Sequence, residues 1–516
     1  MHYIHKEIKE PFKDGIEIGI ELTNKIKNPS LILLMTSLSK KEDIEELVNG
    51  LKSYININNL IGCTTGGEFS EKGHTRHGVL LIAFDEKCKV SISCEKVEGN
   101  PKNVGITLAN DIREKLKEKY PKIDINERFL GIIFHDWKAN HENEIMDVLA
   151  KKLSFPIIGG TAADNLRFKN TYQIYQDKVL SGYVVFATIS TKRNMEILYG
   201  HGYEPTEYYA RITKAEGNIL YELNGKPAYE VYQEMISNAS GIPINTLRKY
   251  KPRNGKYLDF TILYPLGIQD VYGNYRILFL KNIEDDKLIF SHEINEGTFL
   301  ILMNTTPKKT MDSLYNELSK LKKFKNPMAF IIECVARDII KNPHKYKDTF
   351  VSKDFEKWIS RYEVTNTPST SNISNICVNC IGFYSYGESI VNDIMRFHNT
   401  LTFVGVAIDL DEKYNINWKE SLRYFDFSNE EVMILTELIN SNLSAKELLN
   451  KLNISQTKLY ATLNSLEERG IIKSYGKKPK KYYVDDIKSI LKKIDVELES
   501  QYQFKKRKRK EFLLNL

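Results

Sequence analysis

The chain has 516 residues, with 74 Lys and Arg against 67 Asp and Glu, giving a formal net charge of +7. At 42% hydrophobic and 27% charged residues the composition is that of folded protein and excludes wholesale disorder. The charge is uneven: from Phe427 onward there are 18 basic and 12 acidic residues, a net of +6, which leaves 56 and 55, or +1, for everything before it. A basic appendage on a near-neutral body points to a polyanionic partner.

The first residues carry no apolar core or small-residue cleavage site of a secretion signal. Every apolar run falls short of the roughly 18 residues that span a bilayer. A cytoplasmic protein without membrane attachment is expected. Six cysteines do not make a disulfide scaffold. Cys377 and Cys380 form one C-x-x-C, but no second pair stands at zinc-ribbon spacing, so no metal and no other cofactor is expected.

In chain order, a unit recurs. A strand-like run at 31–35 is followed by a helical pattern through Ile44, Leu47, Val48 and Leu51, a second run ending in a glycine loop at 60–68, and a closing run at 78–84. The second copy runs from 129–134 through Ile145, Val148 and Leu149 to a glycine turn at 156–164 and a closing run at 182–188. A looser third copy occupies 329–332, 381–388 and 401–407. Short apolar runs bounded by turn residues read as strands buried on both faces, and the 3.6-period segments supply covering helices. The loop Gly62-x4-Gly67-Glu68 is matched by Gly382-x4-Gly387-Glu388, with Gly159-Gly160-Thr161 as a shorter relative. These loops are either tight turns demanded by the fold or the lining of a pocket for a small polar ligand. Neither long loop is a P-loop, because no Lys-Ser/Thr follows the second glycine.

Residues from about 28 to 426 resemble the FIST family, an intracellular sensory module in two halves. The resemblance rests on residues 61–68, on Gly159-Gly160-Thr161-Ala162-Ala163-Asp164 and on Gly200-His201-Gly202-Tyr203-Glu204-Pro205. It continues through Gly225 with Pro227, Tyr264-Pro265-Leu266-Gly267 with Arg276, Asn295-Glu296-Gly297, Cys334 with Arg337, residues 382–388, and Phe397-His398-Asn399-Thr400. Tyr203 stands where a Trp is common in the family, and Ala336 replaces a Gly beside Arg337. The resemblance implies a small, amino acid-like ligand and an attached output module. The ligand-binding candidates are Cys63, Thr64, Thr65, Glu68, Gly159, Gly160, Thr161, Asp164, Arg276, Arg337, Tyr384, Glu388 and His398.

From Phe427 the pattern changes to short capped helices. Ser428-x-x-Glu431 and Ser444-x-x-Glu447 are capping boxes, each satisfying orphan N–H groups at a helix start. Ser455 caps a third helix over 456–469, with Leu459, Leu463 and Leu466 inward and Gly470 as its stop. Two strand-like runs, 471–475 and 481–484, flank a basic loop. Three helices, a hairpin and a basic wing make a winged helix-turn-helix, and residues 459–472 closely resemble the recognition helix and first wing strand of winged-helix transcription regulators. Gln456, Thr457, Lys458 and Tyr460 occupy the part of the helix that meets the major groove, and Lys477, Lys478, Lys480 and Lys481 can track phosphates. A helical stripe through Ile487, Ile490, Leu491, Ile494 and Leu498 could pack on its own domain or pair two copies through 485–499. Residues 505–510 are six consecutive cations.

Catalysis is the weaker alternative. Cys63 could be a nucleophile, His74, His77, His135, His141 or His398 a base, and Glu68 and Glu388 an acid–base pair, but no sequence context orders them into a triad or dyad. The expected fold class is α/β (mixed α+β). It has a two-part sensory body of repeated strand-helix-strand units, 1–200 and 201–426, then a winged helix at 427–484 and a helix with a basic tail at 485–516. The expected function is a small-molecule-sensing regulator that binds double-stranded DNA; the runner-up is a sensor whose winged helix docks a protein.

Overall fold

The computed structural model describes all residues except 86–87, 121–126, 139–140, 249–258, 271–272, 291–292, 347–378, 393–394, 414–426, 440, 477–478 and 485–516. It divides into two compact units, Met1–Tyr414 and Asn415–Leu516. Cys377, Lys477, Lys478, the stripe at 485–499 and the basic run at 505–510 lie outside the described residues.

In the first unit the repeat is longer than the apolar runs alone indicate. Each copy runs strand, helix, strand, helix, glycine strand, short hairpin, closing strand. The first copy comprises His2–Glu7, Pro11–Lys25, Leu31–Thr36, Lys41–Lys52, Leu60–Thr64, the hairpin Glu68–Ser70 with Gly73–Thr75, and Gly78–Phe84. The second comprises Val90–Lys96, Pro101–Lys119, Arg128–His135, Glu142–Lys152, Ile157–Thr161, the hairpin Gln173–Tyr175 with Lys178–Leu180, and Tyr183–Thr191. The third comprises Arg193–Gly200, Pro307–Ser319, Pro327–Cys334, Val335–Lys341, Asn379–Ser385, the hairpin Glu388–Val391 with Arg396–Asn399, and Phe403–Lys413. Between its first strand and first helix stands an inserted eight-stranded sheet, beginning at Glu204–Glu216 and ending at Phe299–Asn304.

Each copy builds a six-stranded sheet in which the second strand pairs parallel with the glycine strand and antiparallel with the closing strand. The hairpin leaves its own sheet. The first copy's hairpin pairs with the third copy's glycine strand (Glu68 opposite Phe383), the second's with the first's (Gln173 opposite Cys63), and the third's with the second's (Glu388 opposite Gly160). This cyclic exchange laces the three sheets together. Alternation then sorts their side chains. Leu33, Ile132 and Ile332 enter one core shared by all three sheets, while Leu34, Ile133 and Ile331 face outward into separate clusters covered by helices. Both faces are therefore apolar, which is why these strands read as continuous hydrophobic runs.

Gly62, Gly159 and Gly382 occupy equivalent places on the three glycine strands. A Cβ there would lie 1.9, 2.0 and 2.0 Å from the carbonyl oxygens of Leu34, Ile133 and Ile331, so close backbone approach requires glycine. The strand Arg193–Gly200, grouped with the N-terminal half in the sequence, pairs with Phe403–Lys413 from the C-terminal half. The inserted sheet packs on the helix Ala228–Ser240 through Leu223, Tyr232, Leu288 and Leu300, and its core continues onto Val335, Tyr384 and Leu401 of the third copy.

In the second unit both capping boxes form, starting the helices Asn429–Leu438 and Ala445–Lys451. The third helix, Gln456–Glu468, is capped by Ser455 and followed by Gly470 at φ +66°. Leu443–Ser444, Lys473–Tyr475 and Lys481–Tyr483 form a three-stranded sheet. The wing strand read from Ile471 begins at Lys473 instead, because Ile471 and Ile472 turn inward to join Leu435, Leu463 and Leu466. The whole chain is thus mixed α+β with a winged helix at its end. No helix among the described residues is long and apolar enough to cross a membrane.

Candidate functional site

The glycine loops of all three copies meet. Gly66 N–H donates to the Tyr384 carbonyl at 2.7 Å, Thr161 N–H to Gly387 at 2.8 Å, and Ala163 N–H to Thr64 at 2.9 Å. Loops from the N- and C-terminal halves therefore form one junction. Its internal symmetry extends to side chains. His74 and His398 sit at the same hairpin position, and a Cβ on Gly67 or Gly387 would meet the respective Nε2 at 2.6 or 2.5 Å. Glu68 and Glu388 are likewise equivalent, with Gln173 in the third place.

Each of these carboxyl groups has its own hydroxyl cage. Glu68 accepts from Ser37 at 2.9 Å, from Thr75 at 3.1 Å and from Thr65. Glu388 accepts from Ser385 at 2.6 Å and from the Thr402 hydroxyl at 2.8 Å. Burial pushes both carboxyls up to about 8, against the pull of the hydroxyl donors. Among the described residues no hydrogen bond joins them, and each carboxyl is held by its own set of hydroxyls.

The Glu388 side is the richer. His135 Nε2 lies 3.1 Å from Ser389 Oγ, which lies 2.7 Å from His398 Nδ1. His398 Nε2 lies 3.2 Å from Thr161 Oγ1, which donates to Glu142 at 3.4 Å. Burial pushes His135 down to about 3 and Glu142 up to about 7. The strand Tyr275–Leu278 of the inserted sheet lies against Arg396–Asn399 and puts Arg276 within the electrostatic reach of Tyr199 and Asp147. Lys281 faces Glu142. Burial lowers the pKa of both cations, against the pull of these neighbours. Bulky residues with left-handed backbone flank the junction: Leu401 at φ +62°, Leu166 at +60° and Phe168 at +52°. Such strain costs on the order of 1–3 kcal/mol per residue and gathers at ligand clamps and switches.

Thr64 Oγ1 accepts from Tyr172 N–H at 3.0 Å, and Cys63 lies in the shared core with its thiol pushed up by burial. Gly159 and Gly160 lie in the second glycine strand. Asp164 accepts from the backbone of Phe168 and Lys169 at 2.9 and 2.7 Å and from Tyr386 Oη at 2.5 Å. Tyr384 Oη donates to Asp338 at 3.2 Å. Arg337 is wholly buried, donating to Glu333 at 2.9 Å, to the carbonyls of His201 and Thr310 at 2.5 and 2.8 Å, and to Ser313 at 3.2 Å. Its guanidinium ties the helix Val335–Lys341 to the helix Pro307–Ser319. The structure thus gathers Thr161, Glu388, His398 and Arg276, places Thr65 and Glu68 in the equivalent network, and leaves Cys63 and Arg337 in packed interior. The sequence pointed to Asn399 only as part of a family motif, and to Glu142, Ser389 and Tyr199 not at all.

On the second unit Gln456, Thr457, Lys458 and Tyr460 are all exposed on the first turns of the third helix. Lys458 pairs with Glu430, and Lys480 with Glu467 at 2.8 Å. Exposed pairs of this kind are worth roughly 0.2–1 kcal/mol, so exchange for phosphate is cheap. Lys481 is half-buried on the last wing strand, and Tyr475 is exposed beside Tyr483. Among the described residues no group of three or more His, Cys, Asp or Glu could hold a metal ion.

Family models match in three consecutive stretches: the FIST N domain over residues 30–226, the FIST C domain over 228–390, and the sugar-specific transcriptional regulator TrmB over 422–488. An uncharacterized protein of Methanocaldococcus jannaschii is 45% identical over 516 residues, covering 99% of each chain. A solved ArsR-like transcriptional regulator from Rhodococcus sp. RHA1 is 23% identical over 18% of this chain and 88% of its own, with a TM-score of 0.14. The winged-helix assignment rests on the elements themselves and on the family match, not on that structure. The chain belongs to the FIST family, with FIST N and FIST C sensor domains followed by a TrmB-type winged-helix DNA-binding domain.

Proposed function

We propose that this protein is a cytoplasmic one-component transcription regulator: the FIST body takes up a small polar, amino acid-like molecule and the winged helix binds double-stranded DNA. The observation that carries the reading is the junction of the glycine loops. Buried ionisable groups, convergent hydroxyls and strained backbone collect there beneath the inserted sheet, as binding sites require. Thr161, Glu388, His398 and Arg276 are the ligand-facing residues in this reading, with Glu142 and Ser389 added. Gln456, Thr457, Lys458 and Tyr460 would meet the major groove while Lys480 and Lys481 hold phosphates. Ligand binding need supply a coupling on the order of 1–3 kcal/mol to switch DNA affinity. No catalytic step is proposed.

The test has two arms. A thermal-shift screen of amino acids and other metabolites identifies stabilising ligands. DNA affinity is then measured with and without each hit. A hit that changes DNA affinity at least fivefold supports the reading; hits that leave it unchanged defeat it. Turnover of a hit would make the protein an enzyme.

A further inference from the structure

Buried donors at the edge of the junction fall short of a full set of acceptors. Arg276 Nε and Thr400 Oγ1 are each inaccessible to solvent and without a hydrogen-bond partner among the described residues, and the equally inaccessible Asn399 Nδ2 has the Tyr199 side chain as its hydrogen-bonding neighbour. Asn399 is fully buried and Thr400 is 6% exposed. The three are neighbours: Thr400 N–H donates to Asn399 Oδ1 at 2.9 Å, the strand carrying Asn399 lies against the strand carrying Arg276, and Tyr199 adjoins both Asn399 and Arg276. A buried donor left unmade is costly, and folded proteins hold few of them. Two unmatched donors on adjoining strands, with a carboxamide between them that only a tyrosine meets, leave room for a further acceptor.

The chemistry of that acceptor follows from the donors. An arginine guanidinium, a carboxamide N–H and a hydroxyl can all donate, and the group nearest the inserted sheet is a cation taken partly out of water. A neutral carbonyl would satisfy the hydrogen bonds but leave the desolvated charge uncompensated. An oxyanion answers both needs. Asp147 attracts the Arg276 charge but makes no hydrogen bond to its Nε.

We infer that Arg276, Asn399 and Thr400 form an oxyanion subsite that receives the acidic group of the ligand. This rests on the reading of the junction as the sensor pocket. The subsite is shared between the inserted sheet and the threefold core, so the bound anion would bridge the two. Carboxylate and phosphate share this chemistry.

The experiment uses the full chain. Acetate, propionate and glycine are titrated beside their neutral amides, and inorganic phosphate beside chloride at matched ionic strength, with thermal stability and calorimetric heat as readouts. Saturable binding of a carboxylate or of phosphate, without binding of the amide or chloride, is the expected result and names the source. Arg276→Gln should weaken that binding about tenfold or more, the loss of one charge-assisted bond. Asn399→Asp, which places a negative charge in the subsite, should abolish it; Thr400→Val covers the case in which either variant fails to fold. Equal binding of amide and acid, undiminished binding by all folded variants, or no binding of any anion overturns the inference. An anion that binds here without changing DNA affinity leaves the subsite standing and defeats only the regulatory reading. A neutral ligand that changes DNA affinity does the reverse.

Discussion

Replacing Gly382 by alanine tests the construction of the body. The new Cβ would sit 2.0 Å from the Ile331 carbonyl oxygen and 2.5 Å from the Phe69 ring. The ring can swing aside, but the carbonyl belongs to the neighbouring strand. Ordinary C···O contacts are about 3.3 Å or longer, so the glycine strand must part from its neighbour by more than about 1 Å. Overpacking of this kind costs roughly 1–3 kcal/mol, and each ladder hydrogen bond lost adds roughly 0.5–1.5 kcal/mol. Gly382→Ala should therefore destabilise by about 3 kcal/mol or more. Gly62→Ala and Gly159→Ala should cost similar amounts, because their clashes with Leu34 and Ile133 are the same. Gly99, with open space around it and φ +70°, is the comparison; alanine there meets only backbone strain of roughly 1 kcal/mol. Denaturant unfolding followed by circular dichroism reads these values. Loss of less than about 1 kcal/mol in Gly382→Ala would refute the close-approach argument and with it the threefold equivalence.

Glu388 has its pKa raised in the folded state, so the stability tied to its protonated form is present below about 4.5 and is lost as pH rises through about 8. Glu388→Gln should accordingly raise the melting temperature at pH 8.5 and leave it nearly unchanged at pH 5, with a ceiling on the order of 4 kcal/mol; equal effects at both pH values would contradict this. His135 carries the opposite sign: it is held neutral, and its contribution is lost as pH falls below about 6.5 toward 3, so melting curves should show an acid limb that His135→Gln shallows. Arg337→Met removes four donated hydrogen bonds from wholly buried surroundings and leaves Glu333 with only Lys341, at a cost of roughly 3–5 kcal/mol in unfolding free energy. Ser444→Ala breaks one capping box and should speed amide exchange in the helix Ala445–Lys451 by the equivalent of about 1 kcal/mol.

The repeat was legible because strands buried on both faces leave uninterrupted apolar runs, as at 31–35 and 129–134. The outer strands His2–Glu7 and Arg193–Gly200 were not, since they mix buried and exposed positions without a clean period. Nor was the hairpin exchange: a strand as short as Glu68–Ser70 carries no record of which sheet it joins. The third copy looked loose because the inserted sheet separates its first strand from its first helix. At the junction, glycine loops drew attention to Thr161, Glu388 and His398. Glu142 and Ser389 escaped because one begins a helix and the other alternates within an apolar strand. Arg337 was read as a ligand group from its place in a family motif, and that motif is matched here by an arginine fully occupied inside the fold. The second unit was read almost element for element, since capping boxes and a stop glycine are local signals and local signals survive without tertiary context.

The claim that this is a DNA-binding regulator is tested most directly by anisotropy titration of labelled duplex DNA with the full chain at several salt concentrations. The log of the binding constant should fall linearly with log salt, by about 0.9 for each phosphate neutralised. Lys480→Ala with Lys481→Ala should flatten that slope by about two. Binding without salt dependence, or a slope that the double substitution leaves unchanged, would contradict the account.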